Sequence, residues 1–140
     1  MPPHFTNPSS DEIRALLQRI KTIAVVGLSA SSERPSHHVA QALQEFGYRI
    51  IPVNPAVTEV LGERAYPSLR ELPERVDLVD VFRESHAVAA LVEDCIALKL
   101  PALWLQDGVI DEAAARRAQT AGITVVMNRC IYRDYLELIP

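Results

Sequence analysis

The stretch IAVVGLSASSERPSHHVAQAL, residues 23–43, decides the fold. Ile23 to Val26 form an apolar, β-branched run that closes on Gly27, a polar loop follows with Ser29, Ser31, Ser32 and Arg34, and a helical pattern starts at Pro35. This is the order of a nucleotide-binding strand, turn and helix. Pro35 suits a first helical position, and the helix N-terminus it opens presents backbone N–H groups to an anion. Arg34 adds a forked donor for phosphate oxygens. A dinucleotide site would read G-x-G-x-x-G, whereas this window reads Gly27-Leu28-Ser29-Ala30-Ser31-Ser32 and keeps only the first glycine. The missing second glycine is the one that lets backbone approach a pyrophosphate, and the third lets helix and strand pack closely. The second apolar run also ends in Val53-Asn54-Pro55, with no acidic residue for a ribose hydroxyl. A standard NAD pose is therefore disfavoured.

Outward from this unit the same alternation repeats. Apolar runs TIAVVGL (22–28), YRIIPV (48–53), LVDVF (78–82), PALWL (101–105) and ITVVM (123–127) are short and apolar on both faces, as parallel strands covered by helices on two sides should be. Helical patterns lie at about 36–46, 85–99 and 111–121, with a short turn or helix near 67–72. Gly47 and Gly122 are placed to end two of them, and Asp111 to cap one. Ser9-Ser10-Asp11-Glu12 reads as a capping box ahead of an apolar stripe at Ile13, Leu16, Leu17 and Ile20. The expected architecture is a doubly wound α/β Rossmann-like sheet of about five parallel strands over residues 9–140. Residues 1–8, with three prolines and no periodicity, read as a flexible arm.

At 140 residues the chain fits one core. A net charge of −4 argues against nucleic acid or an anionic membrane surface, which need a basic footprint. No run is long enough to span a bilayer, and the first residues lack the regions of a signal peptide, so a cytoplasmic setting is expected. Cys95 and Cys130 are too few and too ill-spaced for a disulfide framework or a zinc site.

In a doubly wound sheet, ligands bind outside the carboxyl ends of the strands. Those ends are Gly27 to Ser36, Asn54-Pro55, Phe82 to Ser85, Gln106-Asp107-Gly108 and Asn128-Arg129-Cys130. Catalytic groups are sparse among them. His37 and His38 are adjacent, hence about 100° apart on a helix, and do not share a face as metal ligands four apart would. His86 and Glu84 are the candidates for acid or base chemistry, and Asp107 sits at another strand end. Asp77 and Asp80, three apart on a strand, face opposite sides of the sheet, and Asp80 in its apolar run requires a hydrogen-bond partner. Cys95, with Val88, Leu91, Val92 and Leu98, forms a core stripe at helical spacing. Trp104 reads as core.

Taken together, GLSASSERPS, RIIPVNP followed by LGERAYPSL, VDLVDVFR, ALWLQDGV and AGITVVMNRC resemble the small bacterial CoA-binding proteins, which are similar to the N-terminal domain of the succinyl-CoA synthetase α subunit. The resemblance spans about residues 20–135. It implies a Rossmann-like domain with coenzyme A or a short acyl-CoA as ligand. Gly27, Leu28, Ser29, Ser31, Ser32, Arg34, Pro35 and Ser36 would form the phosphate loop. Asn54 and Pro55 would border the nucleoside, Val81, Phe82 and Arg83 would flank adenine and ribose, and Gln106 and Gly108 would complete the edge. Where the synthetase carries a lysine after its second strand, Pro55-Ala56-Val57 offers no cation. The phosphorylated histidine of the synthetase belongs to a further domain, so ligase chemistry is not expected of these residues.

The reading at this stage is non-catalytic binding of CoA. Its rivals are an NAD(P)- or acyl-CoA-using enzyme and a CoA-sensing module that docks a protein partner through IYRDYLELIP, residues 131–140. A homo-oligomer also stays open. For Cys130 both a packing role and a mixed disulfide with the ligand thiol stay open, since its position at the ligand-bearing edge near a helix start can favour a thiolate.

Overall fold

The computed structural model describes residues 4–140. In chain order the elements are α1 (Ser10–Arg19), β1 (Thr22–Val26), α2 (Pro35–Glu45), β2 (Arg49–Val53), β3 (Glu59–Val60), β4 (Glu63–Arg64), β5 (Leu78–Val81), α3 (Val88–Ala97), β6 (Ala102–Leu105), α4 (Glu112–Thr120), β7 (Thr124–Met127) and α5 (Ile131–Leu138). Five of the strands form one parallel sheet in the order β2-β1-β5-β6-β7. The chain leaves β1 for β2 on one side, then returns to pair β5 on the other, so the order reverses between β1 and β5. A crevice opens at the carboxyl ends there, because the loops leaving the two strands part company.

The helices divide between the two faces. Leu16, Leu17, Leu43, Trp104 and Ile131 belong to the core under α1, α2 and α5, while Val88, Cys95, Ala115 and Ala118 belong to the core under α3 and α4. Local chemistry sets the ends. Ser9 Oγ accepts from the Glu12 N–H while Glu12 Oε1 accepts from the Ser9 N–H, the capping box that the sequence spells. Asp111 accepts from the Ala114 N–H at 3.0 Å and starts α4.

Three features depart from the sequence reading. The third helix ends at Ala97, two residues short of its expected limit, because Lys99 turns into the left-handed region (φ +54) and Pro101 follows. A hairpin, β3–β4, was not expected. It turns at Leu61 and Gly62, both at positive φ, in a two-residue connection that suits antiparallel twist. The returning chain then reaches Tyr66, which donates to Pro52 O and accepts from the Asn54 N–H, extending the sheet beyond β2.

The third departure concerns the arm at residues 1–8, of which 1–3 lie outside the described residues. Phe5, Thr6 and Asn7 are seated on the fold. Asn7 donates to Met127 O at 3.0 Å and accepts from the Met127 N–H at 2.8 Å, Thr6 O accepts from Gln119, and Phe5 packs against the α3–α4 core. One asparagine amide thus satisfies both backbone groups of a residue on the edge strand β7, which would otherwise be unpaired on that side.

Candidate functional site

Gly27 brings the crevice together. It lies at φ +86, and a Cβ at this position would come within 2.3 Å of Phe82 O and 3.1 Å of Arg83 Cδ. No other side chain lets the loop after β1 press so closely on the exit of β5. Hydrogen bonds across the neighbouring strands hold the approach: the Gly27 N–H donates to Val53 O and the Phe82 N–H to Val26 O, both at 2.8 Å. The glycine therefore serves strand-loop contact within the protein, quite apart from any contact with a pyrophosphate.

The loop that follows is stapled by its own serines. The Ser29 N–H donates to Ser36 Oγ at 3.0 Å and the Ser31 N–H to Ser29 Oγ at 3.0 Å, while the Glu33 N–H reaches Ser31 Oγ at 3.4 Å. In each case the hydroxyl acts as acceptor and retains its own proton for donation elsewhere. Behind the loop, Asn54 Nδ2 donates to Leu28 O at 3.0 Å and its Oδ1 accepts from the Ala56 N–H at 2.9 Å. α2 then starts with Pro35 in its first turn and Arg34 as the preceding residue, with no side chain capping its N-terminus.

A cavity of about 930 Å³ lies over the strand ends, from Ser29, Arg34 and Ser36 across Phe82 and Arg83 to Gly108 and Cys130. This is near the upper end of the range of small-molecule sites. Its electrostatics are uneven. The guanidiniums of Arg34 and Arg83 carry no ion pair or hydrogen bond among the described residues, whereas the lining carboxylates are engaged. Glu84 sits 3.2 Å from His86 Nδ1, and Asp107 is held by Arg133 through contacts of 2.8 and 3.0 Å. The hydrogen bond from Arg133 keeps the Asp107 carboxyl below the ordinary carboxylate range. Two uncommitted guanidiniums beside an uncapped helix N-terminus give this end of the cavity a local positive character suited to an anion, on a protein of net charge −4.

The far wall is braced. The Gly108 N–H donates to Asn128 Oδ1 at 2.8 Å, Ser85 Oγ accepts from the Ile110 N–H at 3.0 Å, and Gln106 Oε1 accepts from the Ile131 N–H at the start of α5. Arg129 clamps Asp134 with two bonds of 2.6 and 2.8 Å, and the Asp134 side chain is wholly buried. Trp104 donates its indole N–H to Arg129 O at 2.8 Å. These contacts fix the loops after β6 and β7 as a rigid rim.

Of the expected site residues, Gly27, Ser29, Arg34, Pro35, Ser36, Phe82, Arg83, Gln106 and Gly108 line the cavity. Leu28 and Val81 are buried core residues. Ser31 and Ser32 lie exposed on the outer loop, Pro55 is exposed beyond β2, and Asn54 acts as the staple just described. Val39 and Val109 also line the cavity and were not singled out. Their only signal was position, one in the second turn of α2 and one directly after Gly108.

Beyond the Glu84–His86 pair, the remaining candidates are not brought together among the described residues. His86 is exposed and outside the cavity lining, His38 packs against Tyr132 with ring centroids 5.7 Å apart, and His37 is half-buried with Nδ1 unpartnered. Among the described residues no group of His, Cys, Asp and Glu is placed to hold a metal. Asp77 accepts from the Lys21 and Thr22 N–H groups. Asp80 corrects an expectation: it is fully buried, and neither carboxyl oxygen has a partner. Register explains why, since Asp80 lies between Val25 and Trp104, and the Trp104 N–H is committed to Arg129. Burial alone pushes its carboxyl well above the ordinary value. Cys95 is buried and its thiol is pushed up to about 12, while Cys130 is half-buried in the cavity wall; both are free. The segment 131–140 folds as α5 against α1 and α2, with Tyr135 stacked on Phe46 at 3.9 Å and Arg14 donating to Leu138 O.

Comparison with known proteins extends these findings. A family model described as a CoA binding domain matches residues 21–135. The Bacillus subtilis protein YneT is 45% identical over 125 residues, covering 89% of this chain and 93% of that one. ADP-forming acetate–CoA ligase I of Archaeoglobus fulgidus is 33% identical over 75 residues, which are 54% of this chain and 11% of the ligase. A solved structure from Pyrococcus horikoshii superposes with a TM-score of 0.91 at 35% identity over 97% of this chain and 99% of its own. One from Thermus thermophilus gives 0.90 at 39% identity over 94% and 100%.

Proposed function

Because the chain belongs to the CoA-binding domain family, we propose that it binds coenzyme A or a short acyl-CoA at the carboxyl ends of its strands and performs no chemistry of its own on the ligand. The observation that carries this reading is the pair of uncommitted guanidiniums, Arg34 and Arg83, in a cavity that opens on the N-terminus of α2. Coenzyme A carries a pyrophosphate and a third, 3′-phosphate, and so rewards two free forks where a helix terminus alone would hold a single phosphate group. Arg83 supplies the second cation in a chain that lacks a lysine after Pro55. Ser29 and Ser36 hold the loop in shape and keep their hydroxyl protons for phosphate oxygens.

Absence of chemistry is supported by the placement of the acid–base candidates. His86 lies outside the cavity lining and pairs with Glu84 at its edge, and among the described residues the lining holds no nucleophile against a base. The two free thiols suit a reducing, cytoplasmic compartment.

The test is isothermal titration of the whole chain with CoA, 3′-dephospho-CoA, NAD and NADP side by side. The expected result is binding of CoA above the nicotinamide nucleotides. Arg34→Ala should weaken CoA by about 1.5 to 3 kcal/mol, the usual scale for a hydrogen bond to a charged group. Preference for NAD or NADP, or an Arg34→Ala variant that binds CoA as the parent does, would overturn the assignment.

A further inference from the structure

Resting on the CoA reading above, we infer that the site selects by charge on the acyl group: it accepts coenzyme A and neutral acyl thioesters and rejects those whose acyl chain ends in a carboxylate. The argument starts from strand order. In the sheet β2-β1-β5-β6-β7 the free cations stand early, Arg34 in the loop after β1 and Arg83 directly after β5. Of the carboxylates of the lining, Glu84 stands next to Arg83 after β5 and Asp107 stands after β6. The unpaired cations of the cavity therefore lie at the phosphate end, while the carboxylates of the lining are paired, Glu84 with His86 and Asp107 with Arg133.

A dinucleotide-like ligand crosses such a crevice with its phosphates at the loop after β1, and Arg83 as the second phosphate cation places the adenosine half between β2 and the exit of β5. The other arm, which in CoA ends in the thiol, then runs over β5 towards Gly108, Val109 and Cys130. The cations at that end are already satisfied. Arg133 makes a two-point contact with Asp107, and Arg129 makes another with the buried Asp134. The backbone N–H of Gly108 is committed to Asn128. An incoming carboxylate would meet Asp107 and Glu84, and it could recruit Arg133 only by breaking the Arg133–Asp107 pair. A carboxylate brought to this end finds no free counter-ion and is disfavoured, whereas a neutral acyl group meets Val109 and Cys130 with no such conflict. The lowered pKa of Asp107 means that the negative charge is present across the neutral range.

Butyryl-CoA and succinyl-CoA separate charge from size, since both carry four-carbon acyl groups. Titration of the whole chain with CoA, acetyl-CoA, butyryl-CoA and succinyl-CoA at low salt should show succinyl-CoA binding about tenfold weaker than butyryl-CoA. Asp107→Asn, which removes the charge and frees Arg133, should close most of that gap. Arg133→Gln, which leaves Asp107 unneutralised, should widen it. Succinyl-CoA within twofold of butyryl-CoA, or a gap that neither variant moves, overturns the charge selection while leaving CoA binding intact. Failure of all four ligands to bind overturns the coenzyme reading and this inference with it.

Discussion

Asp80→Asn should stabilise the protein at neutral pH, and by an amount that grows with pH. Asp80 is fully buried in the middle layer of the sheet, its register neighbours are Val25 and Trp104, and neither oxygen finds a donor. Desolvation is the one cause that raises its pKa, well above the 3.8 of an ordinary aspartate. The folded chain therefore keeps a proton that the unfolded chain releases. With more protons bound in the folded state, stability falls as pH rises, by about 1.4 kcal/mol per pH unit. The stability associated with the protonated acid is complete below the unfolded value near 3.8 and is lost progressively as pH climbs through the raised folded-state value. Asparagine has nearly the same shape and no proton to lose. Urea denaturation of both chains at pH 4, 5, 6 and 7 isolates this one group, because every other titration is common to the two. The expected difference is close to zero at pH 4 and grows in favour of the variant by about 1.4 kcal/mol per unit while Asp80 remains protonated. A difference that stays flat across the series, or that moves in favour of the parent, would refute the reasoning and show that Asp80 is ionised and solvated in the folded protein.

Two further substitutions probe the crevice and its rim. Gly27→Ala places a Cβ at positive φ and 2.3 Å from Phe82 O, so it should cost at least about 2 kcal/mol in denaturant and weaken CoA as the loop is pushed from β5. A loss below about 0.5 kcal/mol would mean that the loop and strand exit are not in contact. Arg129→Ala leaves the wholly buried Asp134 without its two-point partner and should cost about 3 kcal/mol, the lower end of the range for broken buried pairs because Arg129 is itself partly exposed. Thermal and urea unfolding that match the parent would show that Asp134 finds water or another donor.

The amino-acid sequence by itself determined what local pattern controls. Five apolar runs, a capping box at Ser9 and Glu12, Asp111 before its helix and Pro35 after Arg34 each act through neighbours within about four positions, so period and end chemistry could be read directly. The strand, glycine turn and helix start of residues 22–36 were legible for the same reason. What only the tertiary structure decided depends on strand order and register, which join residues far apart in the chain. Arg34 and Arg83 share a cavity because β5 pairs with β1 across the reversal point. Asn54, which the resemblance places beside the nucleoside, also staples Leu28 because β2 lies beside β1. Asn7 was unreadable as an anchor because its partner is the backbone of Met127, on an edge strand 120 positions away. Asp80 shows the limit most directly: the sequence marks a carboxyl that needs a donor, but only packing reveals that the nearby indole N–H is already committed to Arg129. Hydrogen-bond capacity is exhausted locally and irreversibly in a packed interior, and which group reaches a donor first is a property of the assembled sheet.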